Sequence, residues 1–305
     1  LKGFAINVED LEDCIDKGVI FDGGAIEGLA RQGESDTIAT PDLNTWQILP
    51  WRPDENSVAR LFCNLNSFSN QEKVIDSRNV KTGDLFLAIL GTKYDGHEFI
   101  KNAIDNGAAC IICEKPHDFS SSSSSTIIVK NSIHALGDIA KNYKIMIGQP
   151  YTIGITGTNG KTTVTKLSES ILRMSFRTSS TIGNYNNEIG LPLSVLNTTQ
   201  ETEKCIYEHG ASKKNDIEYL TKISQPDLTT LLNVSEAHME SFKNMKNLTL
   251  TKEEIFSHPR TKHIILNLDD VNFMRWKKLN ENKKITTISL KENADYVMKH
   301  DSENY

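Results

Sequence analysis

The chain alternates short apolar runs with stretches whose apolar residues recur every three or four positions. Val74–Ser77, Leu85–Leu90, Ala108–Cys113 and Thr126–Val129 read as strands. Phe99–Asn106 and Ser132–Ile147 carry helical spacing. The serines Ser120–Ser125 predict a flexible loop, and Gly148-Gln149-Pro150 breaks the pattern at a natural boundary. Beyond it, Tyr151–Ile155 reads as a strand that passes through a glycine-rich turn into a helix from Lys161 to Met174. Further strands are expected at Glu203–Glu208, Leu228–Asn233 and His263–Leu268, with helices at Asp216–Ile223 and Asn247–Phe256. Strands alternating with helices predict an α/β fold whose mainly parallel sheet is covered on both faces. Residues 1–64 differ in texture, holding three of the first four prolines and two of the three tryptophans. Three parts are therefore expected, at 1–64, 65–148 and 149–305.

Composition narrows the function classes. A net charge of −6, with basic and acidic residues interspersed, gives no basic stripe for a nucleic acid. No apolar run approaches the roughly 20 residues that span a bilayer, so no membrane partner is expected. The N-terminus lacks a signal-peptide layout; it begins with Leu1, which suggests a missing start. Five cysteines, Cys14, Cys63, Cys110, Cys113 and Cys205, are odd in number and widely spaced, against a disulfide framework. Cys110 and Cys113 form a CxxC inside an apolar run, which favours buried core thiols over a metal or redox pair. A reducing, cytoplasmic setting follows from that usage.

The strongest chemical signal is Gly157-Thr158-Asn159-Gly160-Lys161-Thr162-Thr163, placed between a strand and a helix. Glycines let backbone N–H groups close on phosphate oxygens, and the helix start adds its unpaired amides and dipole. Lys161 can reach outer phosphates, and the Thr162 hydroxyl can hold Mg²⁺. The strict pattern G-x-x-x-x-G-K-[ST] would need glycine where Ile155 stands, so this loop is a variant. Such a loop by itself does not separate kinases, GTPases and ligases.

In its Thr-Gly-Thr-Asn-Gly-Lys-Thr-Thr form, the loop resembles the Mur ligase family. Five further segments resemble the branch of that family that adds D-alanyl-D-alanine. Gly183-Asn184-Tyr185-Asn186-Asn187-Glu188-Ile189-Gly190 is similar to its Asn-x-Asn-Asn-x-Ile-Gly stretch, which implies substrate contacts for Asn184, Asn186 and Asn187. Turn chemistry would produce the same letters. Glu208-His209-Gly210-Ala211-Ser212 follows an apolar run, and the resemblance gives Glu208 a share in holding Mg²⁺ near the γ-phosphate. The family usually has a small or apolar residue at His209, which receives no role. Asn233-Val234-Ser235-Glu236-Ala237-His238 matches a motif whose histidine helps position a second metal, here His238. Lys252-Glu253-Glu254-Ile255 matches a motif whose lysine is carbamylated in many members and then ligates metal. Lys252 is that position, although Glu253 replaces the family's glycine; a solvated helical lysine is the alternative. Leu266-Asn267-Leu268-Asp269-Asp270 resembles the stretch beside adenine and ribose, which implicates Asn267, while a capped strand end would read identically. Upstream, Asp76-Ser77-Arg78, Gly83-Asp84-Leu85-Phe86 and Asp95-Gly96-His97 resemble the UDP-binding domain, with Ser77 and Arg78 near the diphosphate.

The resemblance implies an incomplete P-loop Mur ligase central domain preceded by a small α/β UDP-binding domain. It also implies ATP and Mg²⁺ as cofactors, with UDP-N-acetylmuramoyl-tripeptide and D-alanyl-D-alanine as substrates. Lys161, Glu208, His238 and Lys252 would carry the chemistry, with Gly157, Thr158, Asn159, Gly160, Thr162 and Thr163 cradling ATP. Phe21-Asp22-Gly23-Gly24-Ala25-Ile26-Glu27-Gly28 and Gln47-Ile48-Leu49-Pro50-Trp51 instead resemble the β-grasp N-terminal domain of glutamine synthetase. Glutamine synthetase subunits are thus a conceivable partner of residues 1–64, though that family's catalytic carboxylates have no counterpart here. Mur ligases continue into a further domain beyond the point matched by Tyr305, so a fragment or fusion unable to turn over is expected. A glutamine synthetase-related fragment (an ATP-dependent glutamate–ammonia ligase), a nucleotide-binding module without turnover and a folylpolyglutamate-type ligase are the alternatives; Thr162-Thr163 disfavours the last, whose loop has Gly-Ser after the lysine.

Overall fold

Tyr151–Thr156, the strand before the glycine-rich turn, becomes an inner strand with neighbours on both sides. The computed structural model describes residues 4–6, 26–30, 59–62, 77, 80, 82–91, 95–116, 124–235, 242, 244–291 and 293–298. The chain divides into two units, Leu1–Met146 and Ile147–Tyr305.

In the first unit, β1 (Phe4–Ile6), β2 (Ile26–Ala30), β3 (Ala59–Phe62), β4 (Asp84–Leu87), β5 (Cys110–Cys113) and β6 (Ser125–Val129) form one sheet in the order β1-β3-β4-β5-β6-β2. The inner pairs β3–β4, β4–β5 and β5–β6 are parallel; β1 and β2 close the edges antiparallel. The expected strand Leu85–Leu90 ends at Leu87, because the Gly96 N–H donates to the Ile89 carbonyl oxygen and draws the chain back. A side chain at Gly96 would put its Cβ 2.7 Å from the Ile89 backbone. The expected helix at Phe99–Asn106 is a 3₁₀ turn, Gly96–Phe99, followed by α1 (Ile100–Asp105). Asp95 caps that turn, accepting from the His97 N–H at 3.0 Å. Helix α2 (Ser132–Met146) buries Ala135, Leu136, Ile139 and Ala140, the i, i+4 stripe that its sequence predicts. Cys113 is buried and free, and burial pushes the Cys110 thiol up to about 12. Cys113 thus sits in the core, and Cys110, though half-buried, is a neutral thiol beside it. Of the expected strand Val74–Ser77 only Ser77 lies within the described residues, as do only Ser124 and Ser125 of the serine loop.

In the second unit, seven strands pair throughout in parallel. They are β7 (Tyr151–Thr156), β8 (Thr178–Ser180), β9 (Lys204–Glu208), β10 (Leu228–Leu231), β11 (His263–Asn267), β12 (Lys284–Ser289) and β13 (Tyr296–Val297), in the order β13-β12-β11-β10-β7-β9-β8. The helices are α3 (Lys161–Leu172), α4 (Gly190–Leu196), α5 (Asp216–Ser224), α6 (Met245–Glu253) and α7 (Phe273–Leu279). The α/β expectation holds, and β8, α4, α7, β12 and β13 add to the elements that periodicity picks out. Ile217, Leu231, Ile255, Phe256, Ile264, Leu266, Phe273 and Trp276 form one core cluster. The Trp276 indole N–H donates to Glu253 Oε1 at 3.1 Å, so this fully buried ring keeps a partner. Among the described residues no helix is long and apolar enough to cross a membrane.

Candidate functional site

A wholly parallel sheet sends all its strand C-termini to one edge, where α/β sheets bind ligands. In the second unit that edge gathers the loop after β7, Glu208 at the end of β9, the segment after β10 and Asn267 at the end of β11. Strand order places β7 between β9 and β10, so the glycine-rich loop is flanked by both.

Ile155, 1% exposed, is a core residue of β7, which is why the loop starts later than the strict pattern allows. Gly160 occupies the N-cap of α3 with φ 82°, a left-handed conformation that glycine adopts without strain. Helix α3 then begins at Lys161, where its first amides and dipole face an incoming anion. The Lys161 ammonium donates to the Gly157 and Thr158 carbonyl oxygens at 2.9 and 3.1 Å, folded back over the loop. Burial pushes its pKa down from the ordinary lysine value, and the Glu208 carboxylate opposes the shift.

Glu208 is fully buried. Its N–H donates to Thr181 Oγ1 at 2.8 Å, and its Oε2 accepts from the Thr162 hydroxyl at 3.2 Å. Among the described residues its Oε1 has no hydrogen-bond partner. A buried carboxylate oxygen left without a donor is costly, of order 1–3 kcal/mol or more for a charged group. The donor set of a carboxylate and a threonine hydroxyl beside a phosphate cradle fits a hard divalent cation such as Mg²⁺. Among the described residues no three His, Cys, Asp or Glu side chains cluster as metal ligands. His238 lies outside the described residues.

Lys252 sits in the last turn of α6 and is 4% exposed, so the solvated-lysine alternative does not hold. Burial pushes its pKa down to about 8; the Lys161 charge adds to the shift, and Asp216 and Glu254 oppose it. The neighbouring Glu253 turns to other partners: Arg275 Nε and Nη2 donate to it at 2.6 and 2.8 Å, as does the Trp276 indole. The departure from the family's glycine is thus absorbed by α7.

His209 is also fully buried. Its Nδ1 lies 3.1 Å from the Tyr207 carbonyl oxygen and its Nε2 2.8 Å from Ser224 Oγ. The ring occupies space left by Gly154, where a Cβ would come within 3.1 Å of His209 Cε1. The larger residue is accommodated by packing.

The asparagine segment meets the same edge. The Gly210 N–H donates to the Asn186 carbonyl oxygen at 2.7 Å, and a Cβ at Gly210 would lie 2.5 Å from Asn186 Oδ1. Asn187 Oδ1 accepts from the N–H groups of Ile189 and Gly190 at 3.3 and 2.8 Å, capping the start of α4. Asn184 is exposed. Asn187 therefore does the turn chemistry that its residue type predicts, and Asn186 joins the segment to the residues after Glu208. Asn267 Oδ1 accepts from the Asp269 N–H at 3.0 Å, and Asp269 accepts from Ser289 Oγ and the Leu290 N–H. These are the bonds of a capped strand end. In the first unit Ser77 is buried, and its carbonyl oxygen accepts from Asn106 Nδ2 at 2.9 Å; Arg78 lies outside the described residues.

Asn233, given no role by the sequence, is tied to the loop by both ends of its carboxamide. Its signals in the sequence are its place at the head of the Asn233–His238 segment and a polar amide closing an apolar run.

Residues 155–305 match the family model of the Mur ligase middle domain, and residues 74–144 that of the Mur ligase family, catalytic domain. Residues 1–67 match the glutamine synthetase β-grasp domain, a likeness of sequence that supports no glutamine synthetase partner. The UDP-N-acetylmuramoyl-tripeptide–D-alanyl-D-alanine ligase of Buchnera aphidicola subsp. Acyrthosiphon pisum is 39% identical over 228 residues, covering 72% of this chain and 48% of the relative. The MurF ligase of Thermotoga maritima, solved in complex with ADP, superposes with a TM-score of 0.68 at 33% identity, covering 74% of this chain and 52% of that one. MurF from Acinetobacter baumannii gives 0.67 at 30%, covering 72% and 48%. The chain spans about half the length of the curated relatives it matches.

Proposed function

The chain belongs to the Mur ligase family through residues 74–144 and 155–305, and we propose that it is part of an ATP-dependent ligase joining D-alanyl-D-alanine to UDP-N-acetylmuramoyl-tripeptide. The observation that carries the proposal is the fully buried Glu208 beside the glycine-rich loop, with one carboxylate oxygen on Thr162 and the other without a partner among the described residues. The relatives' shared substrates supply the specificity of the proposal.

In this reaction the peptide carboxylate attacks the γ-phosphorus of ATP, forming an acyl phosphate and releasing ADP. The amine of D-alanyl-D-alanine then attacks the acyl carbon, phosphate departs, and an amide remains. The obstacle is repulsion between an anionic nucleophile and an anionic phosphoryl group. The loop Gly157–Thr163 cradles the phosphates, with the backbone amides from Gly160 to Thr163 as donors, and Lys161 swings from the loop carbonyls to the transferring group, stabilising its charge. Thr162, Glu208, Lys252 and His238 would hold Mg²⁺, which when bound neutralises charge on phosphoryl oxygens. A lysine whose pKa is about 8 keeps part of its amine uncharged near neutrality, as carbamylation of Lys252 requires. Asn267 is assigned to ATP, and Ser77, Arg78, Asn184, Asn186 and Asn187 to the UDP-linked peptide. Residues 65–148 then serve UDP binding and residues 149–305 ATP. Cys110, Cys113 and Cys205 form no disulfide, which fits a cytoplasmic setting.

Calorimetry with Mg·ATP on the chain and on Lys161→Ala tests the proposal. Binding by the parent and its loss in the variant are expected. A parent that binds no nucleotide, or a variant that binds equally well, would sink it.

A further inference from the structure

The glycine-rich loop does not stand alone above the sheet; it rests on the residues that follow β10. The Thr158 N–H donates to the Asn233 carbonyl oxygen at 3.0 Å. The Asn233 side chain then continues the pairing as a peptide unit would. Its Oδ1 accepts from the Asn159 N–H at 3.0 Å, and its Nδ2 donates to the Asn159 carbonyl oxygen at 3.1 Å. Ser235 adds a second tier: its N–H donates to Thr158 Oγ1 at 3.1 Å, and its hydroxyl oxygen lies 3.3 Å from Asn159 Nδ2. Underneath, Gly157 allows close approach, since a Cβ there would lie 3.0 Å from Leu232 Cβ and 3.4 Å from the Asn233 nitrogen.

We propose that Leu232–Ser235 is a fixed seat for the phosphate loop and that Asn233 is its positioning residue. The two bonds to Asn159 fix the peptides on both sides of it, the second leading into Gly160, whose φ of 82° turns the chain into α3. Because the Asn159 amide is taken by Asn233, the anion is left to the amides that follow, at the start of α3. A loop set beforehand loses little freedom when phosphate arrives, so the seat raises affinity without touching the ligand. Asn233 is joined to Asn159 across 74 residues of sequence, so no local pattern encodes the pairing.

The inference deepens the proposed nucleotide site and rests on it, and two readouts keep them apart. The first is amide exchange at Asn159 in the nucleotide-free chain, followed by NMR. Asn233→Ala should speed it about tenfold or more, as loss of the one acceptor would, while amides of β7 keep their parent rates. Asn233→Asp, which retains an acceptor oxygen, should return the Asn159 amide toward slow exchange. The second readout is the Kd for Mg·ADP, expected to rise about tenfold in Asn233→Ala. A merely structural role would instead speed β7 and Asn159 together. Parent-like exchange at Asn159 in Asn233→Ala overturns the seat, whatever the nucleotide result. A parent that binds no Mg·ADP overturns the nucleotide reading, while exchange still decides whether the seat exists. If Asn233→Ala does not fold, Asn233→Ser, too short to reach Asn159, takes its place.

Discussion

Lys252 shows how burial sets chemistry at a single residue. Its pKa in the folded chain is about 8, pushed down first by burial and then by Lys161. An unfolded lysine titrates near 10.4, so between about pH 8 and 10.5 the unfolded chain holds a proton that the folded chain lacks. Stability from this group therefore rises with pH across that window, and below it the folded state bears the full penalty of a buried charge. Lys252→Met should stabilise the metal-free protein at pH 7, by an amount on the order of 1–3 kcal/mol, and lose the advantage by pH 10. Urea midpoints at the two pH values measure this; an equal gain at both would contradict it. The lysine and its place in a motif were legible in the sequence. Its lowered pKa was not, because it depends on burial in the folded chain and on the charges of Lys161 and Asp216, which come from α3 and α5, far away in sequence.

At the scale of elements, the strand–loop–helix unit around Gly157–Thr163 follows its sequence closely, since β7 and α3 are each set by local periodicity and a glycine turn. Helix α4 was not read, because the asparagines before it and Pro192 within its first turn signal a turn. Those asparagines are what start it: Asn187 caps the helix. Gly190, its first residue, packs against Tyr185, and an added Cβ would lie 2.5 Å from Tyr185 Cα. Glycine to alanine in a helix ordinarily gains up to about 1 kcal/mol. Here overpacking against backbone outweighs that gain, and Gly190→Ala should cost roughly 1–3 kcal/mol. Urea unfolding measures it, and a raised midpoint would show that the segment shifts freely.

At the scale of the whole molecule, β7, β9 and β10 lie side by side, and the proposed nucleotide site draws on the ends of all three. A ligand that binds only when these ends are together stabilises the second unit as a body. Mg·ADP at one hundred times its Kd should add about 2.7 kcal/mol. Slowed amide exchange in β7, β9 and β10 together checks it. Slowing confined to the loop, with β9 and β10 unchanged, would mean that the strand ends are not linked through the nucleotide.

The sequence by itself determined the α/β class and the strand–turn–helix form of the glycine-rich loop, because these depend on residues adjacent in the chain. It also marked Glu208 and Lys252 as the residues to watch. Tertiary structure alone decided which groups meet: Glu208 reaches Thr162 across 46 residues, and Asn233 reaches Asn159 across 74. Those meetings depend on strand order in the sheet. The order is fixed by how each crossover packs its helix against a common core, a long-range choice that no local periodicity carries.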